Sequence, residues 1–181
     1  MHKTEQTVSA ISMIPGILLS MHWIKQTSNP IIIAIAYAYI MACVGSFAYH
    51  MYCAANPGYN PAWLRLDITC QQLVIYMGAC LTGGYSGAFL MAPFASLIAL
   101  ADFRDIPSSY LALATHAISI LVVSATTNMR LVLQWAAAFF VYSLKEIIPN
   151  SYMYSQTLWH IMCHYNIATS WASYELSQNS L

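Results

Sequence analysis

The chain has 181 residues, of which 59% are hydrophobic and 7% charged, with six Lys and Arg against six Asp and Glu for a net charge of zero. An average soluble domain carries about 25% charged residues, so this composition cannot cover a water-facing surface. It equally excludes intrinsic disorder, which needs low hydrophobicity and high charge, and a nucleic-acid interface, which needs clustered cations. The composition predicts an all-α integral membrane bundle. A transmembrane helix takes roughly 20 residues, so seven of them with short loops form a single domain over residues 1–181.

The first predicted span covers residues 8–24, with a kink at Pro15-Gly16. Thr27-Ser28-Asn29-Pro30 reads as a turn with Pro30 opening the second span, residues 31–53. Asn56-Pro57-Gly58-Tyr59-Asn60-Pro61 is a strong loop signal. The third span is expected over 62–83, ending at Gly83-Gly84, and the fourth over 85–101 with Pro93 inside it. The loop Asp102 to Pro107 follows, then spans over 108–126 and 129–147. Pro149-Asn150 breaks the chain before the seventh span, 154–175, and Ser177 to Leu181 form a polar tail.

Lys3, Arg65, Arg104 and Lys145 then share the side of the N-terminus, against Lys25 and Arg130 on the other, which points to a cytoplasmic N-terminus. Neither a secretory leader nor a glycosylation sequon is recognisable. The five cysteines form no C-x-x-C pair and read as small core residues.

Ionisable groups within spans mark candidate sites. Ser46 and His50 lie four apart near the end of span two, Asp67 early in span three, and His160 and His164 four apart early in span seven. Topology brings all five to a similar depth on one side, and Gln156 extends the last stripe by a turn. Three imidazoles with an open position make the ligand set of a catalytic zinc ion, which would acidify a bound water and polarise a carbonyl. Asp67 could then handle the proton and Ser46 orient the water. The same histidines could instead line a proton path, hydrogen-bond across the bundle, or ligate a haem. His22 and His116 read as interhelical hydrogen-bonding groups, His2 as a solvated terminal residue, and Lys145-Glu146 as an interfacial pair. Trp63, Tyr110, Trp159 and Tyr174 read as an interfacial aromatic belt.

Gly45-Ser46-Phe47-Ala48-Tyr49-His50, Leu66-Asp67 and Leu158-Trp159-His160 together resemble the motifs of the CREST superfamily. That group of seven-span proteins includes alkaline ceramidases, the progestin and adipoQ receptors, and hydrolases that process GPI-anchored lipids. The resemblance implies that His50, His160 and His164 bind Zn²⁺ and that Ser46 and Asp67 flank the bound water. Seventeen positions separate His50 from Asp67, more like the receptor and GPI-processing branches than the ceramidases. In one respect the pattern departs: where much of the superfamily has an H-x-x-W-H or H-x-x-F-H arrangement, this chain has Gln156 in place of the first histidine, four residues before His160. Either His160 and His164 form the pair, one turn displaced, or Gln156 replaces a ligand and the metal site is weakened.

Three readings follow. The first is a zinc-dependent intramembrane hydrolase acting on a lipid amide or ester, with Asp67 and Ser46 as catalytic residues. The second is a catalytically inactive lipid-binding receptor or scaffold of the same fold. The third is a bis-histidine haem or proton-conducting protein. In each of the first two the partner is a membrane lipid.

Overall fold

A computed structural model describes residues 3–56, 60–148 and 150–179, apart from the side chains of Thr82 and 175–179. His2, Pro57-Gly58-Tyr59, Pro149 and the last two residues of the tail lie outside the described residues. Among the described residues all regular structure is helical: α1 (Lys3–Ile11), α2 (Ile14–Gln26), α3 (Pro30–Ala55), α4 (Pro61–Leu100), α5 (Ile106–Thr127), α6 (Met129–Ile147) and α7 (Tyr152–Asn179).

The helix starts follow local chemistry. The Asn29 and Asn60 side chains accept hydrogen bonds from the first free N–H groups of α3 and α4, each of which opens with proline. Asp105 caps α5 through the Ser108 N–H at 2.9 Å, and Asn128 caps α6. Asp105, expected as part of the loop from Asp102 to Pro107, thus sets where α5 begins.

The first predicted helix is two helices, broken at Ser12-Met13 rather than at Pro15-Gly16. Proline cannot donate to the carbonyl four residues back and its ring clashes there, so the break falls upstream of Pro15, which sits in the first turn of α2. The Gly16 N–H turns to the Met13 carbonyl at 3.1 Å. The Ser12 carbonyl is thereby left for a partner outside its helix.

A second interruption lies inside α4. Gly84 adopts φ 55°, ψ −132°, and the chain reverses there into two arms, 61–83 and 85–100. The arms return alongside each other: the Arg65 guanidinium donates to the carbonyls of Ala99 at 3.3 Å and Ala101 at 2.9 Å, and lies over the Phe103 ring. Arg65 is thus occupied away from Asp67.

The helices close a ring. α3 packs on α1, α2 and α4; α4 on α5; α5 on α6; α6 on α7; and α7 back on α1 and α2. Polarity is inverted relative to a soluble protein. Gln6, Ser9, His50, Asp67, Gln72 and Asn166 are buried, while Tyr85, Phe89, Leu133, Phe140 and Ile161 are exposed. In water that arrangement would be unfavourable twice over; in hydrocarbon it satisfies both sets of groups. Among the described residues, four stretches are long and apolar enough to cross a membrane: Lys3–Gln26, Pro30–Ala55, Gly83–Leu100 and Ile106–Thr127.

Several single-residue expectations change. His22 is exposed on α2 and, among the described residues, has no interhelical hydrogen bond, because α2 turns that position outward. Trp159 belongs to no belt: it is buried between α6 and α7 against Trp135, Phe139 and Tyr142. Tyr174 lines the far end of a cavity between the helices. Lys145 places its ammonium 3.6 Å from the centroid of the Tyr142 ring.

Candidate functional site

Each candidate residue is placed by its helix. Ser46 and His50 share one face of α3, Asp67 and Gln71 one face of the first arm of α4, and Gln156, His160 and His164 one face of α7. All are buried except Gln71, which is half-buried.

Hydrogen-bond partners fix the tautomers. His50 Nδ1 lies 2.6 Å from Gln6 Oε1, which can only accept, so His50 carries its proton on Nδ1. The Gln6 amide group donates onward to the Tyr152 hydroxyl at 3.2 Å. His160 Nδ1 lies 2.6 Å from Ser12 Oγ, whose own proton goes to the Ser9 carbonyl at 2.7 Å; Nδ1 is therefore the donor here as well. His160 Nε2 then accepts from the Gln156 amide nitrogen at 3.1 Å. His164 is the reverse case. Its Nε2 donates to the freed Ser12 carbonyl at 2.8 Å, and its Nδ1 accepts from the Tyr39 hydroxyl at 2.5 Å.

The helix break and the site are one construction. The break at Ser12-Met13 turns the Gly16 N–H to Met13 and so frees the Ser12 carbonyl that holds His164, and Gly16 makes room for the ring. A Cβ on Gly16 would stand 2.5 Å from His164 Cε1 and 2.6 Å from Cys43 Sγ.

His50 and His160 come together, their rings 5.3 Å apart between centroids at 65°. Asp67 accepts from the Gln71 amide at 2.7 Å and is hydrogen-bonded by Ser46. A zinc ion would need three imidazole lone pairs converging on one point at about 2.0–2.1 Å. His50 and His160 have the supporting shell that metal-binding histidines show, each with its N–H held by an oxygen. The third donor is not delivered. The lone pair of His164 faces Tyr39, and Gln156 stands at the lone pair of His160. Among the described residues no group of three His, Cys, Asp or Glu side chains is placed to hold a metal ion. Of the two registers left open by the sequence, this conformation places Gln156, with a buried and unpartnered Oε1, beside His160.

Gln6, Ser9, Ser12 and Tyr39 were not singled out from the sequence. Residues 6, 9 and 12 form a polar stripe at helical spacing, and that period was the available signal. Placing the first span at residue 8 left Gln6 outside it.

Behind this cluster the bundle holds a partly open cavity of about 160 Å³. Ser46, Gln71, His116, His160 and His164 stand at one end of it, each eight to twelve residues from its helix terminus, or roughly 12–18 Å deep. From there it runs along apolar side chains, among them Ile35, Val74, Ile120, Trp135 and Ile167, toward Ile32, Thr127 and Tyr174 at the opposite end. The result is a greasy shaft on a polar floor. No known protein family, curated protein or solved structure matches the chain.

Proposed function

We propose that the protein is a multi-pass membrane protein that binds a single-chain lipid within its bundle, the acyl chain in the shaft and the polar head against the floor. The cavity carries this reading: an apolar interior space with a few convergent polar groups at one end is the form of a small-molecule site. An acyl chain loses little in exchanging bilayer for an apolar protein wall. In this reading all seven helical passes cross the bilayer with the N-terminus cytoplasmic. On the first arm of α4 and on α7, Asp67, Gln71, Gln72, Gln156, His160 and His164 are turned inward, while Leu66, Leu73, Leu158 and Ile161 are exposed outside. Native mass spectrometry of the detergent-purified protein tests the reading. A co-purifying or added C16 monoacyl lipid should bind one per chain, and Ile120→Trp, which fills the shaft, should abolish it. Equal binding by the filled variant would overturn the proposal.

A second reading, a zinc-dependent hydrolase of a lipid amide or ester, is favoured by the close His50–His160 pair beside the Ser46–Asp67 hydrogen bond. It requires His164 to leave Tyr39 and Ser12 and join His50 and His160. Zinc held by those three would supply Lewis-acid activation of a carbonyl, with Asp67 available as a proton carrier. Metal analysis separates the two readings. About one zinc per chain, lost in both His50→Ala and His164→Ala, supports the hydrolase; less than about half a zinc excludes it.

A further inference from the structure

His116 belongs to the same cavity floor, on the wall that α5 contributes. Its ring is 5% exposed. Nδ1 lies 2.9 Å from Gln72 Oε1; the Ser119 hydroxyl lies 3.0 Å from the same oxygen and 2.7 Å from the His116 carbonyl, the nearer acceptor for its one proton. Nδ1 therefore carries the proton, and Nε2 is left as a bare acceptor. Among the described residues the ring's hydrogen bond is made at Nδ1, and the ring borders the cavity.

Its neighbours on the floor differ. The lone pair of His160 is taken by Gln156 and that of His164 by Tyr39. The Ser46 hydroxyl and the Gln71 amide are both directed to Asp67. Among the described residues, His116 is thus the floor histidine whose hydrogen bond leaves Nε2 over, in a region where an unmatched polar atom is costly.

We propose that His116 Nε2 is the specificity-determining acceptor for the bound lipid, and that the ligand presents an N–H donor at its head, as a secondary N-acyl amide does. The inference rests on the lipid-binding reading and narrows its ligand class. Gln72 acts as a positioning residue: it holds the tautomer that exposes the lone pair. A lipid head with acceptors alone leaves Nε2 unpaired and binds more weakly, even if its chain fits the shaft equally well.

A matched pair of probes tests this: N-hexadecylacetamide, which has an amide N–H, and its N-methyl derivative, which does not. The detergent-purified protein should bind the secondary amide about three- to tenfold more tightly, the worth of one neutral hydrogen bond. In His116→Leu the two should bind alike. Equal binding by the unaltered protein, or discrimination that persists in His116→Leu, would overturn the role of His116. Failure to bind either probe would instead overturn the lipid-binding reading itself. If His116→Leu does not fold, ¹⁵N-histidine NMR of the unaltered protein gives the answer. The His116 Nε2 resonance should shift on adding the secondary amide and stay in place with the N-methyl compound; no difference between the two would overturn the assignment.

Discussion

The break at Ser12-Met13 and the reversal at Gly84 both depend on glycine, for different reasons and with different consequences. At the first, Gly16 has helical backbone geometry, and what matters is the absence of a side chain where the His164 ring lies. At the second, Gly84 supplies a positive φ, and Gly87 three residues later lets the two arms of α4 touch backbone to backbone. The first break carries a backbone carbonyl into the polar cluster. The second builds a hairpin whose outer arm is mostly exposed, with Met91 and Ile98 as its buried side chains, and carries none of the candidate residues. Interruptions of a helix are therefore not equivalent: one is part of the site and the other is scaffold.

The largest effect should come from the scaffold. A Cβ on Gly87 would stand 1.9 Å from the Ala79 carbonyl oxygen and 2.6 Å from its carbon, so backbone itself would have to move. Gly87→Ala should destabilise by about 3 kcal/mol, the upper part of the overpacking range, read as a lowered thermal midpoint in detergent. Its lipid binding should fall only as far as the folded fraction falls. An unchanged midpoint would mean that the arms are not in contact.

Gly16→Ala comes next, at about 1–3 kcal/mol, because the obstructing atoms belong to side chains that can shift. Here function should suffer beyond stability. Pushing the His164 ring aside breaks its bonds to Tyr39 and to the Ser12 carbonyl, so lipid binding should weaken even in protein that remains folded. Gly45→Ala is the control on the neighbouring helix. Its Cβ would meet Asp67 Cα at 3.9 Å, an ordinary contact, and both stability and binding should stay within error of the parent. If Gly16→Ala and Gly87→Ala show the same ratio of binding loss to stability loss, the distinction between site and scaffold fails.

Gly84→Ala should cost about 1–2 kcal/mol from its backbone alone, since φ 55° is unfavourable for any residue with a Cβ and nothing lies within 4 Å of the added carbon. Lipid binding per folded molecule should be unaltered.

Much of this arrangement could be read in advance, and the part that could not has a physical cause. Helices end where Asn-Pro, Gly-Gly and Asp-rich segments say they should; the helix expected over 129–147 occupies Met129–Ile147. Those signals are local, acting through φ limits and capping. The similar depth of Ser46, His50, Asp67 and His160 also followed, because short loops and antiparallel passes leave few alternatives. Which nitrogen of each histidine is free did not follow. That depends on Gln6, Ser12, Tyr39 and Gln72, distant residues whose approach is set by packing. The capture of His164 by a carbonyl released at the helix break left no mark in the His-x-x-x-His spacing itself. His116, read from the sequence as an interhelical hydrogen-bonding group, is one, but that its partner is Gln72 follows only from α4 and α5 being neighbours in the ring.

The smallest expected effect bears most directly on the choice between readings. Tyr39→Phe removes one hydroxyl and leaves the ring in the α2–α3–α7 core. Hydrogen bonds between membrane helices average about 0.6 kcal/mol, so the thermal midpoint should barely move. What changes is His164: its Nδ1 loses the donor that occupied it, while Nε2 keeps the Ser12 carbonyl. If His164 is a latent third ligand, the variant should bind zinc at least as tightly as the parent. If His164 is instead a clasp that ties α7 to the broken N-terminal helix, the variant should gain no metal, and hydrogen exchange at residues 9–16 should rise because one end of the clasp has been released. Zinc uptake without a change in exchange would assign His164 to a metal centre, and faster exchange without zinc would assign it to the scaffold of the lipid site.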